Sequence, residues 1–203
     1  MRPDTYARPE YIAAFCQIAK RIEASLAGVP RRALPIQMFV AGGAAMHFYT
    51  GERVSKDIDA VFSRRVLLPE DLQVVYRDAD GAARPLYFDH QYNDTLGLLH
   101  ADAREDSLPL SLAGIEKQVL DIRLLAPLDL AVSKISRFTE QDRGDIAALA
   151  RRKLLSAAAL RKRADEALLD YVGNTDWVRR SIDAACRIVE DQLKRVGPAP
   201  KST

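Results

Sequence analysis

The sequence predicts an α+β protein in which a small mixed β-sheet flanked by helices is followed by a C-terminal helical region. Short apolar runs of strand length lie within residues 36–125, and glycine turns and polar loops separate them. From residue 127 onward, apolar residues recur only at helical spacing. The composition, with 48% hydrophobic and 29% charged residues, is that of a globular protein able to bury a core. We therefore expect a core with an N-terminal helix over residues 1–126 and a helical region packed on it over residues 127–203.

The first fifty residues predict a helix, a strand and a second helix, in that order. Apolar residues recur every three or four positions from Pro9 to Leu26, which is the spacing of an amphipathic helix. A short apolar run, Ile36 to Ala41, predicts a strand that leads into Gly42 and Gly43. A helix of small residues follows this glycine turn and ends at Gly51.

The middle of the chain is harder to assign, whereas its last third is uniformly helical. Residues 69–76 are expected to be helical, residues 78–84 form a loop with Gly and Asp, and residues 96–101 form an apolar strand. Further strands are expected within residues 108–125. After Pro127, which suits the first turn of a helix, four helices are expected, at residues 128–138, 142–153, 156–171 and 175–195.

Charge and composition narrow the class of protein. Thirty basic and 28 acidic residues give a net charge of only +2, so any surface that attracts nucleic acid must be local. Cys16 and Cys186 have no Cys or His neighbour at metal-ligand spacing and are expected as buried thiols in a reducing compartment. With no apolar stretch near the roughly 20 residues of a membrane span and no signal peptide, a cytoplasmic protein without membrane contact is expected. The candidate basic face consists of Arg151, Arg152, Lys153, Arg161, Lys162 and Arg163.

Two carboxylates on one strand are the sharpest chemical feature. Period-2 alternation over residues 57–62 places Asp57 and Asp59 on the same face. Such a pair can hold Mg²⁺ or Mn²⁺, because hard cations prefer carboxylate oxygens together with substrate phosphates. Metal ions held there can activate an attacking hydroxyl and stabilise a pyrophosphate leaving group. Taken alone, an Asp-x-Asp pair is more often a solvated strand face.

The glycine turn before this strand suggests the nucleotide. Glycines at a strand-to-helix turn let the backbone approach a phosphate closely, and the N-terminus of the next helix directs its N–H groups toward negative charge. Gly42 and Gly43 would thus place the triphosphate of an NTP against metals held by Asp57 and Asp59. The alternative for the glycine pair is an ordinary tight turn.

Together these residues resemble the signature of the DNA polymerase β-like nucleotidyltransferases, and in particular their AbiEii toxin-like branch. The resemblance lies in the segment GGAAMHFYTGERVSKDID and in a later one, LAPLDLAVSKISRFTEQDRGDI. It implies the nucleotidyltransferase fold and transfer of a nucleoside monophosphate from an NTP to an acceptor, with tRNA or another RNA as first candidate. It also implies a toxin role countered by a separate antitoxin. Relatives carry Ser or Thr at the glycine pair, but here Ala44 and Ala45 follow it, so backbone N–H groups, Ser55 or Lys56 must bind the phosphates.

Two other functions are compatible with the same residues. One is a nucleotide-sensing or partner-binding module that keeps the fold but lacks turnover. The other is a transferase of this fold that modifies a small molecule such as an antibiotic.

The later segment adds two cations and two acids. Lys134 and Arg137 are three residues apart and share a helix face that can reach phosphate oxygens. Asp142 and Asp145 share a face as well. The alternative is a salt-bridged helical hairpin in which Lys134 or Arg137 pairs with Asp145, and both interpretations can hold together.

The resemblance further implies a third carboxylate on a neighbouring strand, which often deprotonates the attacking hydroxyl. A strand over residues 94–102 would place Asp94, His100 and Asp102 on one face. Asp102 is the preferred third catalytic and metal-binding residue. Asp94 and Asp121 are alternatives, and His100 is a substitute base.

Overall fold

The computed structural model describes residues 6–94 and 97–196, which divide into two compact units. The first unit holds the described residues up to Asp94 together with Arg104–Ala126. The second holds residues 97–103 and the described residues from Pro127 onward. Six α-helices and two small sheets are present in the described part, which confirms the predicted α+β class.

In its described residues, the first unit contains two α-helices and seven strands. Its helices are α1 (Pro9–Ser25) and α2 (Gly42–Thr50). Its strands are β1 (Ile36–Val40), β2 (Asp57–Ile58), β3 (Ala60–Phe62), β4 (Gln73–Arg77), β5 (Ala83–Phe88), β6 (Leu108–Pro109) and β7 (Leu120–Leu124). The predicted strands at 36–41 and within 108–125 are therefore confirmed.

These strands form two sheets, and residues 57–62 contribute a strand to each of them. The four-stranded sheet has the order β3-β1-β7-β6, with β1 parallel to β7 and antiparallel to β3. The three-stranded sheet has the order β2-β5-β4, with β2 parallel to β5. The predicted single strand over residues 57–62 is thus divided, because β2 pairs in one sheet and β3 in the other. Asp59 lies at the point where the chain changes sheets.

The helix α1 covers one face of the three-stranded sheet. Pro9 occupies its first turn, where the missing N–H costs nothing. Its apolar stripe, including Phe15 and Ile18, is fully buried, and the helix packs against β4 and β5. In β4 only the alternate residues Val74 and Tyr76 are buried. The opposite face of the three-stranded sheet is therefore the more exposed one.

Two of the predicted elements are wrong. Residues 69–76 are not a helix, because their second half forms β4, whose β-branched and aromatic residues pair with β5 across a tight turn at Gly81. Residues 97–100 form no strand, and Ala101–Ala103 make a 3₁₀ turn. The first residue of the predicted 96–101 strand lies outside the described part. The strand that pairs with β2 is instead β5.

The described residues of the second unit form four α-helices: α3 (Pro127–Val132), α4 (Glu140–Arg151), α5 (Ala157–Ala167) and α6 (Thr175–Val196). The first ends earlier than predicted, and Phe138 with φ of 47° lies in the turn that follows. On α5, Arg161 donates to Asp183 (2.7 Å) and Arg163 to Asp129 (2.8 Å). At least three of the six cations of the predicted basic face are thus used in ion pairs, since Lys162 Nζ also lies 3.9 Å from Glu166. None of the helices in residues 6–94 and 97–196 is long and apolar enough to cross a membrane.

Candidate active site

The glycine pair brings the first turn of α2 against two polar side chains. Gly42 has φ of 54°, in the left-handed region that favours glycine. A Cβ there would collide with Oδ2 of Asp59, and a Cβ on Gly43 would collide with the hydroxyl of Ser55. The N-terminus of α2 can lie this close to the carboxylate only because both positions are glycine.

Asp57 and Asp59 follow the predicted alternation. Both are partly exposed, whereas Ile58 and Ala60 are buried. The Ser55 hydroxyl donates to Oδ1 of Asp57, which orients that carboxylate. The end of β1 is tied to the same place, because the N–H of Ala41 donates to the carbonyl of Asp59 (2.8 Å). Two carboxylates are therefore presented at the surface on a firmly held backbone.

His47, on α2, anchors the loop that leads to Asp57. Its ring is fully buried. Nε2 accepts a hydrogen bond from the N–H of Arg8 (3.2 Å), so Nδ1 carries the proton and donates to the carbonyl of Arg53 (2.6 Å). Burial lowers the pKa of His47, in agreement with a neutral ring. The residue is a structural clamp rather than a base exposed to ligand.

Tyr11, on α1, lies under this clamp. Its ring centroid is 4.4 Å from that of His47. The side chain is fully buried, and within the described part of the chain its hydroxyl has no hydrogen-bond partner. Burial raises the pKa of the phenol, and the negative charges of Asp57 and Asp59 raise it further. Tyr11 is therefore a neutral, buried side chain packed against His47.

Asp89 is a candidate site residue that sequence reasoning missed. The parallel register pairs Asp57 with Tyr87 and Ile58 with Phe88, and the N–H of Asp89 donates to the carbonyl of Ile58 (3.1 Å). Asp89 directly follows Phe88 at the end of β5, its side chain is partly exposed, and its Oδ1 accepts a hydrogen bond from the N–H of Gln91 (2.8 Å). The sequence signal for Asp89 was an apolar run that ends in an acid. It was missed because residues 69–76 were predicted as a helix, so the hairpin that contains Asp89 was not recognised.

The sequence-predicted third carboxylates do not lie on the strand beside β2. Asp102 is exposed on the 3₁₀ turn, where its N–H donates to Nδ1 of His100 (3.1 Å). Asp94 forms an ion pair with a neighbouring arginine (2.8 Å). Asp121 is buried on β7 and lies 3.3 Å from the guanidinium of Arg123. The strand argument for Asp102 is therefore wrong, and its catalytic role stays a prediction.

Lys134 and Arg137 are engaged in ion pairs within the second unit. Lys134 Nζ lies 2.6 Å from Asp145, and both side chains are buried. Arg137 binds Asp142 (2.8 Å), which also closes the capping box of α4 with Thr139. The salt-bridged hairpin is thus present. That these cations also bind phosphate stays a prediction.

Few side chains are placed to act as ligands of a metal ion. Within residues 6–94 and 97–196, no three His, Cys, Asp or Glu side chains are placed to hold an ion together. Asp57 and Asp59 nevertheless suit Mg²⁺, since it usually takes one or two carboxylates and completes its shell with waters and substrate phosphates. The pair is therefore compatible with a metal that arrives with a nucleotide.

Comparison with known protein families gives one match for this chain. A family model described as a nucleotidyltransferase of unknown function, DUF6036, matches residues 17–194. No curated protein matches the chain, and neither does any solved structure. The matched range includes the Gly-Gly turn, the Asp-Ile-Asp segment and most of α1 and α6. The chain therefore belongs to this family of nucleotidyltransferases.

Proposed function

We propose that this protein transfers a nucleoside monophosphate from an NTP to a hydroxyl group of an acceptor, with Mg²⁺ or Mn²⁺ held by Asp57 and Asp59. The main support is the packing of Gly42 against the Asp59 carboxylate. This packing puts the N–H groups that start α2 next to the Asp59 carboxylate, and Ser55, which lies against Gly43, donates to Asp57, so phosphates and a metal would bind side by side. An ordinary tight turn would not need this proximity.

Each residue has a defined part in the proposed reaction. The backbone N–H groups of Gly43 and its neighbours donate to phosphate oxygens, with Ser55 and Lys56 beside them. A metal bound at Asp57 and Asp59 supplies Lewis acidity toward the phosphates and the attacking hydroxyl. The acceptor oxygen forms a bond to the α-phosphorus while the bond from that phosphorus to pyrophosphate breaks. The hydroxyl proton passes to the carboxylate of Asp89 and from there to solvent.

The experiment is a transfer assay on the full chain. Each of the four α-³²P-labelled NTPs is incubated with protein, Mg²⁺ and total RNA, with EDTA as the control. Label in RNA indicates an RNA acceptor, and label in the protein indicates self-modification. Nucleotide binding without transfer to any acceptor would contradict the proposal and favour the binding module.

Asp89→Asn separates the base from the metal ligands. This variant should lower the transfer rate while leaving the affinity for Mg²⁺–NTP unchanged, since Asp89 is assigned to the proton and not to the metal. Asp102→Asn is the matched control, because Asp102 is exposed on a 3₁₀ turn. If Asp102→Asn abolishes transfer and Asp89→Asn does not, the roles are reversed.

The toxin role is the finer part of the proposal and is supported by the AbiEii-like resemblance alone. Expressed without an antitoxin in bacteria, the wild type should slow growth, and Asp59→Ala at matched expression should not. A partner-binding module would not need the Asp59 carboxylate. Equal inhibition by both forms would exclude catalysis as the cause, and inhibition by neither would remove the toxin role but not nucleotide transfer.

A further inference from the structure

The connection between α5 and α6 exposes large apolar side chains at the end of this helix pair where the chain turns. Leu169 and Val172 are 84% and 87% exposed, and Trp177, in the first turn of α6, is 42% exposed. Burying a side chain such as Leu or Val is worth about 1.5–3 kcal/mol. Exposed apolar residues that gather on one short stretch therefore mark a candidate contact surface. The connection surface, as we call it, consists of Leu169, Val172 and Trp177 with the acids Asp165, Asp170 and Asp176.

The connection is folded rather than loose. The indole Nε1 of Trp177 donates to the carbonyl of Ser136 (3.1 Å), and the backbone N–H of Trp177 donates to the side chain of Asn174 (3.0 Å). The phenol of Tyr171 lies over Gly173, since a Cβ on that glycine would be 2.6 Å from the phenol oxygen. The indole is thus held in place with part of its ring in solvent, so packing against it costs little conformational entropy.

The charges around these apolar side chains are acidic. No lysine or arginine occurs between Arg163 and Arg179, a stretch that contains four acids. One of them, Glu166, has His100 at 3.6 Å and Lys162 at 3.9 Å. The other three are the acids of the connection surface, and within residues 6–94 and 97–196 their side chains form no hydrogen bond or ion pair.

Two of these three acids do not stabilise the helices that carry them. An acid in the first turn of α6, such as Asp176, interacts favourably with the helix dipole. Asp165 and Asp170 lie in and just beyond the last turn of α5, which has no basic residue, and an acid at a helix C-terminus opposes the dipole. A cation bound at that end would gain from both carboxylates and from the dipole.

This combination of charge and apolar surface narrows the class of partner. Unpaired carboxylates at the negative end of a helix repel the phosphates of nucleic acids and of acidic lipids. A second copy of this chain that brought the same surface would place acid against acid. A polypeptide with lysine or arginine beside its apolar residues complements the surface in both respects.

We propose that the connection surface binds a protein partner through a basic amphipathic helix of that partner. The inference goes beyond the proposed nucleotidyl transfer and does not depend on it. Apolar side chains of the partner helix cover Leu169, Val172 and the indole of Trp177. Its cations bind Asp165 and Asp170 at the end of α5. Trp177 is the central anchor, because tryptophan is enriched among the residues that dominate binding energy at interfaces.

Fluorescence tests the proposal without turnover, since Trp177 is the only tryptophan of the sequence. The full chain is titrated with a short amphipathic helical peptide made only of leucine and lysine. We expect saturable binding with a blue shift of the Trp177 emission. The same peptide with glutamate in place of lysine, and poly(U) RNA, should cause no blue shift. No shift with the lysine peptide, or an equal shift with either control ligand, overturns the proposal.

Paired variants locate the binding. Leu169→Ser/Val172→Ser should weaken the affinity for the lysine peptide by about tenfold or more, because two apolar contacts are lost. Leu67→Ser/Val75→Ser is the matched control in the first unit, where these residues are 92% and 70% exposed, and should leave the affinity unchanged. Equal weakening by both double variants would show binding that is not specific to the connection surface and would contradict the proposal.

The charges are tested in the same way. Asp165→Asn/Asp170→Asn should weaken the affinity for the lysine peptide about tenfold without lowering the Tm, because both acids are exposed and oppose the dipole of α5. Glu105→Gln/Glu116→Gln removes the same charge from exposed positions of the first unit and should have no effect. Light scattering of the protein alone should give a monomer. A dimer whose dissociation on dilution shifts the Trp177 emission to the red would identify a second copy as the occupant and overturn the proposal.

Discussion

The carboxylate pair of the first unit and three carboxylates of the second unit lie in contrasting surroundings. In the first unit, Asp57 and Asp59 remain half-exposed, and Asp57 accepts a hydrogen bond from a neutral hydroxyl. In the second unit, three carboxylates are buried, and each is paired with a cation. The pairs are Asp129 with Arg163 (2.8 Å), Asp142 with Arg137 (2.8 Å) and Asp145 with Lys134 (2.6 Å).

The buried, paired carboxylates stabilise the fold, whereas solvent and ligands can reach the partly exposed carboxylates of Asp57 and Asp59. A buried carboxylate must keep its cation, since losing the partner leaves an uncompensated charge in low dielectric. A half-exposed carboxylate on a fixed strand costs little in the free protein and can still take a metal. Substitutions at both kinds of carboxylate, and at residues around them, test this division.

The largest effect is expected from Asp57→Asn and Asp59→Asn. Each should reduce nucleotidyl transfer about a thousandfold or more, because metal stabilisation worth several kcal/mol is lost. Neither should lower the Tm, since both side chains are solvent-accessible. Asp142→Asn is the control from the other unit and should show the reverse, a lower Tm with no direct effect on metal binding. A drop in Tm for Asp57→Asn as large as that for Asp142→Asn would abolish the distinction.

The next effect concerns Lys134. The sequence left open whether Lys134 binds phosphate or forms an ion pair, and the structure shows the ion pair with Asp145 (2.6 Å). Lys134→Ala removes the cation that pairs with the buried Asp145, so the free energy of unfolding should fall by about 3–5 kcal/mol and the Tm by roughly 6–20 °C.

A double variant shows whether the lost pairing is the cause. Lys134→Met/Asp145→Leu should recover much of the Tm, because it removes both charges together. NTP affinity measured on the stable double variant decides the remaining question. If that affinity falls steeply, Lys134 also binds phosphate.

A smaller effect is expected at the glycines. Gly42→Ala must hold φ near 54° and displace the Asp59 carboxylate, so it should cost about 1–3 kcal/mol and weaken NTP binding. Gly144→Ala is the matched change inside α4, where an added Cβ meets nothing within 4 Å. It should stabilise the helix by about 0.5–1 kcal/mol. Chemical denaturation of both variants checks the signs, and a neutral Gly42→Ala would mean that the turn tolerates a side chain.

The smallest effect is expected from Tyr11→Phe. The buried hydroxyl has no partner in the described part of the chain, and such a group costs about 1–3 kcal/mol when desolvated. Removing it should leave the Tm unchanged or raise it by a few degrees. A lower Tm would show that the hydroxyl is hydrogen-bonded in solution, for example to an ordered water near the carboxylates.

Much of the first unit could be predicted because its signals are local. The alternation over residues 57–62 was sufficient to put Asp57 and Asp59 on one face, and a glycine pair between a strand and a helix indicates a close backbone approach by itself. The long helix α6 followed from periodicity in the same way. The hairpin of β4 and β5 could not be predicted in this way. The segment Val74-Val75-Tyr76 lies within a polar stretch and forms a strand only because it pairs with β5.

The sequence by itself thus determined the α+β class, the carboxylate pair and the glycine turn that faces it, all of which depend on residues near one another in the chain. Tertiary structure alone decided that the Asp57–Phe62 segment contributes to two sheets, that β2 pairs with β5, which ends just before Asp89, and that Lys134 is paired with Asp145. These outcomes depend on strand register and on the desolvation of charges. Both are set by contacts between distant segments, which no local pattern records.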